Sequence, residues 1–486
     1  MHDDHMRTLG KAFICMTVII VPFVSCSRTH HIRIVADPQC EGFVHSLLEE
    51  HPLPGGYRVI EGTAEGRAPE ADISIHFSSK IEDQNGTKIL SRTPLVPVVP
   101  LLDQRESVSE GEARLLPLKP LDAVNLPERG LPVDGLYPED PAYPLFECIT
   151  ARIEGETIPQ TLEEWFENIP EAESLKKGVT IGAVGDILAG RGVEKILLQG
   201  EKGLSSVFSD TLPVLRSHDL LIGNLEGPVS RGGEKRVKTY TFRFPPQILQ
   251  ALASSGFTYL MAANNHSFDY GEEAFLDTLK HLTESAIATS GVGDTIEEAL
   301  TPWYTEIRGV PIAVLSIGAF PAERSGFNGR LQVQATDTKP GILWFGEKAL
   351  ASVKAMKERG AFSVVCVHGG VEYSNSPSTS QIEMYRKIID AGADIVFGSH
   401  PHVLQGMEVY GKGLIVYSLG NFVFPGMEEM NFATETAIIT LRVYDGAIRY
   451  VEITPARISG TRTSIDRTGM VKKRLISLSQ ALQKGK

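Results

Sequence analysis

Residues 362–402 constrain the fold more than any other stretch of this sequence. The apolar, β-branched run Phe362–Val367 stops at a histidine and two glycines, which is typical of a buried strand. The run Ala393–Phe397 has the same design, and Ser380–Ala391 between them carries apolar residues at roughly helical spacing. The unit therefore reads as strand–helix–strand, which predicts two parallel strands joined by a right-handed crossover.

Histidines follow both strands of this unit. His368 comes directly after the first strand, and His400 and His402 follow the second. Open α/β sheets bind ligands at the carboxyl ends of their strands, so we expect the three imidazoles to lie near one another. Neutral imidazole binds divalent transition ions well. The pattern predicts a metal site, and the alternative is three unrelated loop histidines.

Polar side chains follow three further apolar runs in the same way. Asp186 ends the first run, Glu226 follows the second, and Asn265 with His266 follows the third. Carboxylate, amide and imidazole together suit a hard or borderline divalent cation such as Mn, Mg, Fe or Zn. No cysteine-rich motif is present in the sequence, which argues against a closed structural zinc site.

The composition sets broad limits on the class of protein. The length of 486 residues suggests two or three domains, and 42% hydrophobic residues is ordinary for a globular protein. The net charge of -13 argues against nucleic acid as a partner, because phosphate contacts need a basic surface.

The N-terminus has the pattern of an export signal. Arg7 and Lys11 precede the apolar stretch 12–24, which is too short for a comfortable membrane span, and Cys26 follows it. This arrangement resembles a bacterial lipoprotein signal, with residues 1–26 as the signal peptide and Cys26 as the lipid-bearing residue. We therefore expect an extracytoplasmic protein of the cell envelope, anchored to the membrane by lipid. The alternative is an uncleaved N-terminal anchor.

Three further regions follow the signal. Residues 31–177 alternate short strand and helix patterns and then become rich in proline from Pro94 to Pro144, which predicts a small α/β domain and a linker segment. This part faintly resembles one lobe of an extracytoplasmic solute-binding protein. Residues 178–460 carry the sharp strand-end motifs, and 461–486 are predicted to form a C-terminal helix.

Six motifs in the second half carry a family resemblance. In order, they begin at Gly185-Asp186, Asn224-Leu225-Glu226-Gly227, Ala263-Asn264-Asn265-His266, His368-Gly369-Gly370, Gly398-Ser399-His400-Pro401-His402 and Tyr417-Ser418-Leu419-Gly420-Asn421-Phe422. Together they resemble the CapA family of capsule-synthesis (poly-γ-glutamate) proteins over roughly residues 178–425. The resemblance implies a calcineurin-like metallophosphoesterase fold, in which two packed β-sheets are flanked by helices, and a role with an anionic extracellular polymer.

The resemblance also implies roles for individual residues. Six would be metal ligands: Asp186, Glu226, Asn265, His368, His400 and His402. Phosphoesterases of this superfamily carry a histidine two residues after the first aspartate, where this sequence has Leu188. The expected cofactor is therefore a divalent metal, Mn, Zn, Fe or Mg, as one or two ions.

These residue types fit metal-assisted hydrolysis. Asp186 and His266 are the catalytic candidates, with His266 as general acid for the leaving group. The alternative for His266 is a structural or ligand-orienting residue.

Basic and aromatic residues alternate in the segment 235–246. Lys238, Tyr240 and Arg243 are the candidates for binding an anionic polymer or a phosphorylated small molecule, and Glu372 and Tyr373 beside His368 complete the set. The alternative is a solvated loop with aromatic residues packed beneath it, and Glu372 would equally suit a hydrogen bond to a ligand histidine.

Two functions from different classes remain open on the sequence. The first is a metal-dependent hydrolase that acts in synthesis or processing of an anionic envelope polymer such as poly-γ-glutamate. The second is a non-catalytic metal- or polymer-binding factor that assists capsule assembly or export beside other envelope polymer-synthesis proteins.

Overall fold

The computed structural model describes residues 30–32, 34–36, 41–53, 57–59, 73–78, 87–140, 143–153, 160–169 and 177–484. The predicted signal peptide and its Cys26 lie outside these residues. Among the helices in the described ranges, none has the length and apolar character that a membrane crossing requires.

The chain divides into two compact units. The first contains Met1–Pro97, Ser109–Leu121 and Pro132–Leu175, and the second contains Val98–Val108, Asp122–Leu131 and Lys176–Lys486. The α/β class predicted from the sequence is confirmed, because both units combine sheets with helices.

Before residue 177 the described elements are mostly short strands. They are β1 (His30–Ile32), β2 (Ile34–Ala36), α1 (Glu41–Glu50), β3 (Tyr57–Val59), β4 (Ile73–Ser78), β5 (Thr87–Pro100), α2 (Glu110–Ala113), β6 (Leu118–Pro120), β7 (Glu128–Gly130), β8 (Phe146–Ile153) and α3 (Gln160–Asn168). In the first unit β4 and β5 pair antiparallel with β8 on either side of it.

From residue 177 onward strands and helices alternate. They are β9 (Val179–Ile187), α4 (Val193–Leu197), α5 (Glu201–Phe208), α6 (Leu212–Arg216), β10 (Leu220–Leu225), α7 (Ile248–Ser254), β11 (Tyr259–Met261), α8 (Gly271–Thr283), β12 (Val292–Gly293), α9 (Ile296–Leu300), β13 (Trp303–Ile307), β14 (Val310–Ala319), α10 (Gly329–Gln332), β15 (Gly341–Ile342), α11 (Glu347–Glu358), β16 (Phe362–Gly369), α12 (Thr379–Asp390), β17 (Ile395–Ser399), β18 (Met407–Tyr410), β19 (Gly413–Val416), β20 (Asn421–Val423), β21 (Glu435–Tyr444), β22 (Ala447–Ser459), β23 (Arg462–Ile465) and α13 (Met470–Lys484).

Two large sheets form the frame of the second unit. Within residues 177–484 the first has the order β11-β10-β9-β21-β22-β23, with β20 also paired to β9, and the second has the order β13-β14-β16-β17-β19-β18. β9, β10 and β11 run parallel, as do β14, β16 and β17. The strand–helix–strand unit predicted for residues 362–402 is therefore present as β16, α12 and β17.

The second sheet is buried on both faces. Alternate residues such as Val364 and Cys366 share a core with Ile181 of β9, so this face packs toward the first sheet. The intervening Val365 packs with Val353 of α11 and other helix residues. Successive strand side chains point to opposite faces, which explains why β16 is apolar at nearly every position.

Parts of the proline-rich segment belong to the second unit. Arg449 of β22 donates to the Asn125 side chain (2.9 Å), and Lys472 of α13 donates to the Gln104 carbonyl (3.1 Å). The sequence predicts an α/β domain and a linker segment over residues 31–177, and apolar periodicity carries no signal for where a linker packs. The region 461–486 also opens with strand β23, paired to β22, before its helix begins.

Candidate metal centre

The predicted site residues stand at the carboxyl ends of strands in both sheets. Asp186 is the penultimate residue of β9, Glu226 directly follows β10, and Asn265 and His266 lie beyond β11. On the second sheet His368 is in β16, in register with Ser399 of β17, and His400 and His402 follow β17. The parallel arrangement brings all of these positions to one edge of each sheet.

Three of the predicted ligands converge most closely. One ligand atom from each of Asp186, Glu226 and His402 lies within 4.8 Å of the other two, and all three residues are buried. His402 Nδ1 is 3.1 Å from Asp186 Oδ2, and His402 Nε2 is 3.6 Å from Glu226 Oε1. Two carboxylates and an imidazole are a donor set that divalent cations accept.

Several buried atoms at this centre lack a hydrogen-bond partner. Asp186 Oδ2, Glu226 Oε1 and both ring nitrogens of His400 accept or donate no hydrogen bond among the described residues. Buried polar atoms are almost always paired in folded proteins, so these four orphaned atoms need an explanation. A divalent cation would satisfy them, and the residues present therefore fit such an ion.

Asn224 links the two halves of the centre. Its Nδ2 donates to Asp186 Oδ1 (2.8 Å) and lies 3.2 Å from His368 Nδ1, while its Oδ1 accepts from Asn264 Nδ2 (3.0 Å). In the strand register, Asn224 of β10 is directly opposite Asp186 of β9. The strand pairing itself therefore fixes which oxygen of Asp186 stays free.

His368 and Asn265 form a second group. His368 Nε2 donates to Asn265 Oδ1 (2.8 Å), and Ser399 Oγ lies 3.1 Å from His368 Nδ1. The His400 ring lies 4.8 Å from the His368 ring, measured between centroids. Asn265, His368 and His400 are thus adjacent to one another, and His368 meets the first group through Asn224.

Two of the histidines have left-handed backbone conformations. The φ angles are 96° at His400 and 58° at His402, a region that non-glycine residues rarely adopt. His402 is held there by Asn421, whose Oδ1 accepts from His402 Nδ1 (2.9 Å) and whose Nδ2 donates to the His402 carbonyl (3.1 Å). Backbone strain of this kind clusters at functional sites, where the surrounding structure over-determines it.

His266 is oriented by a carboxylate. Its Nδ1 donates to Asp269 Oδ2 (2.6 Å), and its Nε2 then lies 3.7 Å from Glu226 Oε1. The Phe242 ring packs on the imidazole with a centroid separation of 4.5 Å. His266 therefore presents one fixed nitrogen to the centre.

The titration of these groups reflects their crowding. Burial, followed by the neighbouring Asp186, raises the pKa of Glu226 well above its usual value. Burial alone would lower the pKa of His402, but Glu226 and Asp186 outweigh it and raise the pKa. Burial and the charge of His402 hold the pKa of His400 well below its usual value, so His400 is neutral. Neutral imidazole is the form that binds metal, so His400 is ready for a cation, whereas His402 would release a proton on binding one.

Lys238 lies in the interior, which differs from the substrate-binding role expected for it. Its side chain is 1% exposed, and Nζ donates to the Asn265 carbonyl and to Asp269 Oδ1, both at 2.7 Å. It also pairs with Glu323 Oε1 at 2.9 Å. All three ammonium protons are used, so Lys238 holds the Asn265–His266 loop in place.

The other predicted substrate residues lie in varied surroundings. The Arg243 guanidinium donates to the Gly232 carbonyl (2.8 Å) and stacks 4.1 Å over the Tyr270 ring. Tyr240 is 61% exposed, and Tyr373 is 38% exposed with its ring 6.0 Å from the His402 ring.

Glu372 is exposed and has no hydrogen bond within the described residues. Burial raises the pKa of the neighbouring Tyr373 to about 12, with Glu372 as the next cause. Glu372 and Tyr373 therefore stand on the side of the centre where His402 lies.

Sequence reasoning missed several residues that complete the centre. They are Asn224, Asn264, Asp269, Ser399 and Asn421, and each lies inside or directly beside a motif already noted. Their signal was a polar residue within an apolar strand end, for which burial implies a hydrogen-bonding partner. Leu188, which stands where a histidine ligand was looked for, is fully buried in the apolar core.

The chain is similar in sequence to several known proteins. The CapA capsule biosynthesis protein of Bacillus anthracis is 33% identical over 291 residues, which cover 58% of this chain and 67% of that protein. The CapA protein of PGA biosynthesis from Bacillus subtilis (strain 168) is 33% identical over 301 residues, 60% of this chain and 75% of the relative. A probable polyglutamine synthesis accessory protein of Mycobacterium tuberculosis is 25% identical over 330 residues, 58% and 86% of the two chains.

The family assignment rests on a match that contains every residue of the centre. The profile of the bacterial capsule synthesis protein PGA_cap matches residues 180–426, from within β9 to just beyond β20. The resemblance seen in the six motifs is thereby confirmed, and the chain belongs to the PGA_cap family of bacterial capsule synthesis proteins.

Proposed function

We propose that this chain is a metal-dependent hydrolase of the phosphoesterase type, acting in synthesis or processing of an anionic envelope polymer such as poly-γ-glutamate. One observation carries the proposal: Asp186, Glu226 and His402 place buried ligand atoms within 4.8 Å of one another, and one oxygen of each carboxylate has no hydrogen-bond partner among the described residues. The family and its relatives from capsule and PGA biosynthesis suggest the polymer. The two packed sheets with outer helices also support a calcineurin-like fold.

The residues that would hold the ion are assigned from the chemistry of their side chains and from their proximity. Asp186, Glu226 and His402 would form one set, and Asn265, His368 and His400 would complete it or hold a second ion. A bound divalent ion supplies Lewis acidity toward a phosphoryl or acyl oxygen of the substrate. Asn224 and Asn421 keep Asp186 and His402 oriented for this purpose.

His266 is assigned the proton transfer to the leaving group. Its Nδ1 is engaged by Asp269, which leaves Nε2 as the atom that carries the mobile proton. The Phe242 ring excludes water from one face of the imidazole. Asp269 stabilises the imidazolium form, as an orienting carboxylate does in other acid–base pairs.

The place of action is part of the same proposal. An export signal with lipid on Cys26 would hold the protein at the outer face of a membrane, where the polymer and other envelope polymer-synthesis proteins are found. Palmitate labelling of cells that express the full chain or Cys26→Ser tests this. Label that persists on the variant contradicts the lipid site.

Metal content is the first test of the centre. The full chain is loaded with Mn, Zn or Fe, dialysed and assayed by elemental analysis beside a His400→Ala/His402→Ala variant and a His281→Ala control. We expect one or two ions per chain in the parent and in the control, and loss of metal from the folded double variant. A folded parent that retains no ion would contradict the proposal.

Activity is tested separately from metal binding. The metal-loaded chain is assayed on phosphomonoesters, phosphodiesters and γ-glutamyl peptides beside a His266→Gln variant. Removal of a general acid lowers kcat by about 10²–10⁴-fold. A variant that retains its metal and full activity would show that His266 is not the acid, and inactivity of the parent on every ester and peptide would favour a binding role.

A further inference from the structure

A single arginine stands among aromatic rings beside the centre. Arg191 lies in the loop between β9 and α4, is exposed, and has a left-handed φ of 52°. Its guanidinium carbon lies 5.2 Å from the Phe242 ring centroid, 5.7 Å from that of Phe424 and 5.9 Å from that of Tyr240. A planar guanidinium is attracted to aromatic faces, and stacking of this kind restricts its orientation.

One edge of this guanidinium is anchored, and its remaining donors make no hydrogen bond within the part of the chain that the structure describes. Nη1 donates to the Pro425 carbonyl at 2.8 Å. Among the described residues, no carboxylate forms an ion pair with Arg191. Since a guanidinium has five N–H donors, an oriented fork remains for a ligand.

The supporting rings connect the arginine to the centre. Phe242 packs on His266, with ring centroids 4.5 Å apart, and Phe424 packs on His402, with centroids 5.0 Å apart. Each of these rings is thus shared between the guanidinium and a histidine of the centre. Arg191 is therefore one ring away from both the metal set and the proposed acid.

We propose that Arg191 is an anion-binding subsite that receives a carboxylate or phosphate of the substrate next to the group that reacts. The proposal rests on the proposed function and adds the residue that selects an anionic substrate. Exposed Tyr240 extends the same surface outward, which suits a chain with repeated anionic groups. Arg243, which the sequence favoured for this role, is already bonded to Gly232 and stacked on Tyr270.

The test measures binding of two probes to the full chain by calorimetry, with and without manganese. The probes are γ-linked triglutamate and inorganic phosphate, so that the carboxylate and phosphate sources are distinguished. The proteins are the parent, Arg191→Gln, Arg191→Lys, and Arg231→Gln as an exposed arginine of equal charge change. Arg231 contacts the Gln247 side chain instead of aromatic rings.

We expect Arg191→Gln to weaken binding of at least one probe by about tenfold, the low end for a charge-assisted hydrogen bond at an exposed site. Arg191→Lys should recover part of that loss, because it retains the charge but not the planar fork. Arg231→Gln should bind like the parent, and metal content should be equal in all four proteins.

The failure of this inference differs from that of the proposed function. If the parent holds metal and binds a probe, and Arg191→Gln binds it equally well, the subsite is wrong while the metal centre stands. If neither probe binds the parent, the subsite is also wrong. If the parent holds no metal but binds triglutamate, and Arg191→Gln binds it more weakly, the hydrolase proposal is wrong and the subsite stands.

Discussion

Lys238→Met separates a structural lysine from a substrate-binding lysine. The ammonium of Lys238 makes three contacts, to Asp269 Oδ1, Glu323 Oε1 and the Asn265 carbonyl, at 2.7 to 2.9 Å. Methionine fills nearly the same volume but removes the charge. The change therefore leaves two carboxylates and one carbonyl without their common donor.

The expected loss follows from the burial of these groups. Removing one partner of a buried ion pair costs about 3–5 kcal/mol, because the remaining charge is left uncompensated. Asp269 is fully buried but retains donors in His266 and the Phe242 amide, and Glu323 is 18% exposed and partly solvated. We therefore expect the lower end, about 3 kcal/mol, which lowers the melting temperature of a unit of this size by about 4 °C.

The assay is thermal unfolding beside a matched control. Lys235→Met makes the same chemical change at an exposed position three residues earlier, where the effect should remain within about 0.5 kcal/mol. If Lys238→Met melts at the same temperature as Lys235→Met, the buried ion pairs do not hold this loop. If it also weakens triglutamate binding while stability is unchanged, the substrate-binding role predicted from the sequence is the correct one.

Two further changes test the fold of the second unit. A Cβ at Gly185 would lie 1.9 Å from the Gly420 carbonyl oxygen, so Gly185→Ala should lower the soluble yield and the melting temperature sharply. The control Gly346→Ala, with nothing within 4 Å of its Cβ, should lower neither. Equal melting temperatures of the two variants would contradict the close approach. Burial lowers the pKa of His218, so the unfolded chain binds the proton first and stability is lost as pH falls below about 6.5. His218→Gln should lose less stability than the parent between pH 7.5 and 5 in thermal unfolding, and parallel losses would show that His218 does not contribute.

The longer strands and the four longest helices of the second unit could be predicted from the sequence. The runs at Val179, Ile312 and Phe362 are apolar, β-branched and ended by glycine or a polar group, so local pattern and tertiary burial agree. Strand β20 could not be predicted, because three residues are too few to show a periodic pattern. Its place beside β9 depends on Gly185, which allows the Gly420 carbonyl to approach.

The ligand-type residues at the centre were predictable for a different reason. A carboxylate or imidazole that directly follows an apolar strand is informative, because burying it without a partner is costly. The partners of the supporting amides were not predictable, since Asn224 and Asn421 meet Asp186 and His402 only when three strands are in register. In the segment 235–243 the sequence alone was insufficient, because nothing in it distinguishes the buried Lys238 from the exposed Lys235.

The same strand register explains how the fold accommodates buried, unpaired carboxylate oxygens at the centre. Asp186 lies between Asn224 on β10 and Asn421 on β20, so strand pairing holds the carboxylate whether or not its free oxygen is satisfied. His402 in turn is held by Asn421 in a strained backbone conformation. The pairing of β9 with β10 and β20 thus offsets the unfavourable burial of these groups. A rigid frame that keeps two buried carboxylates and a strained imidazole within reach of one another is preorganised for a cation, and relaxation of any one of them would lose that geometry.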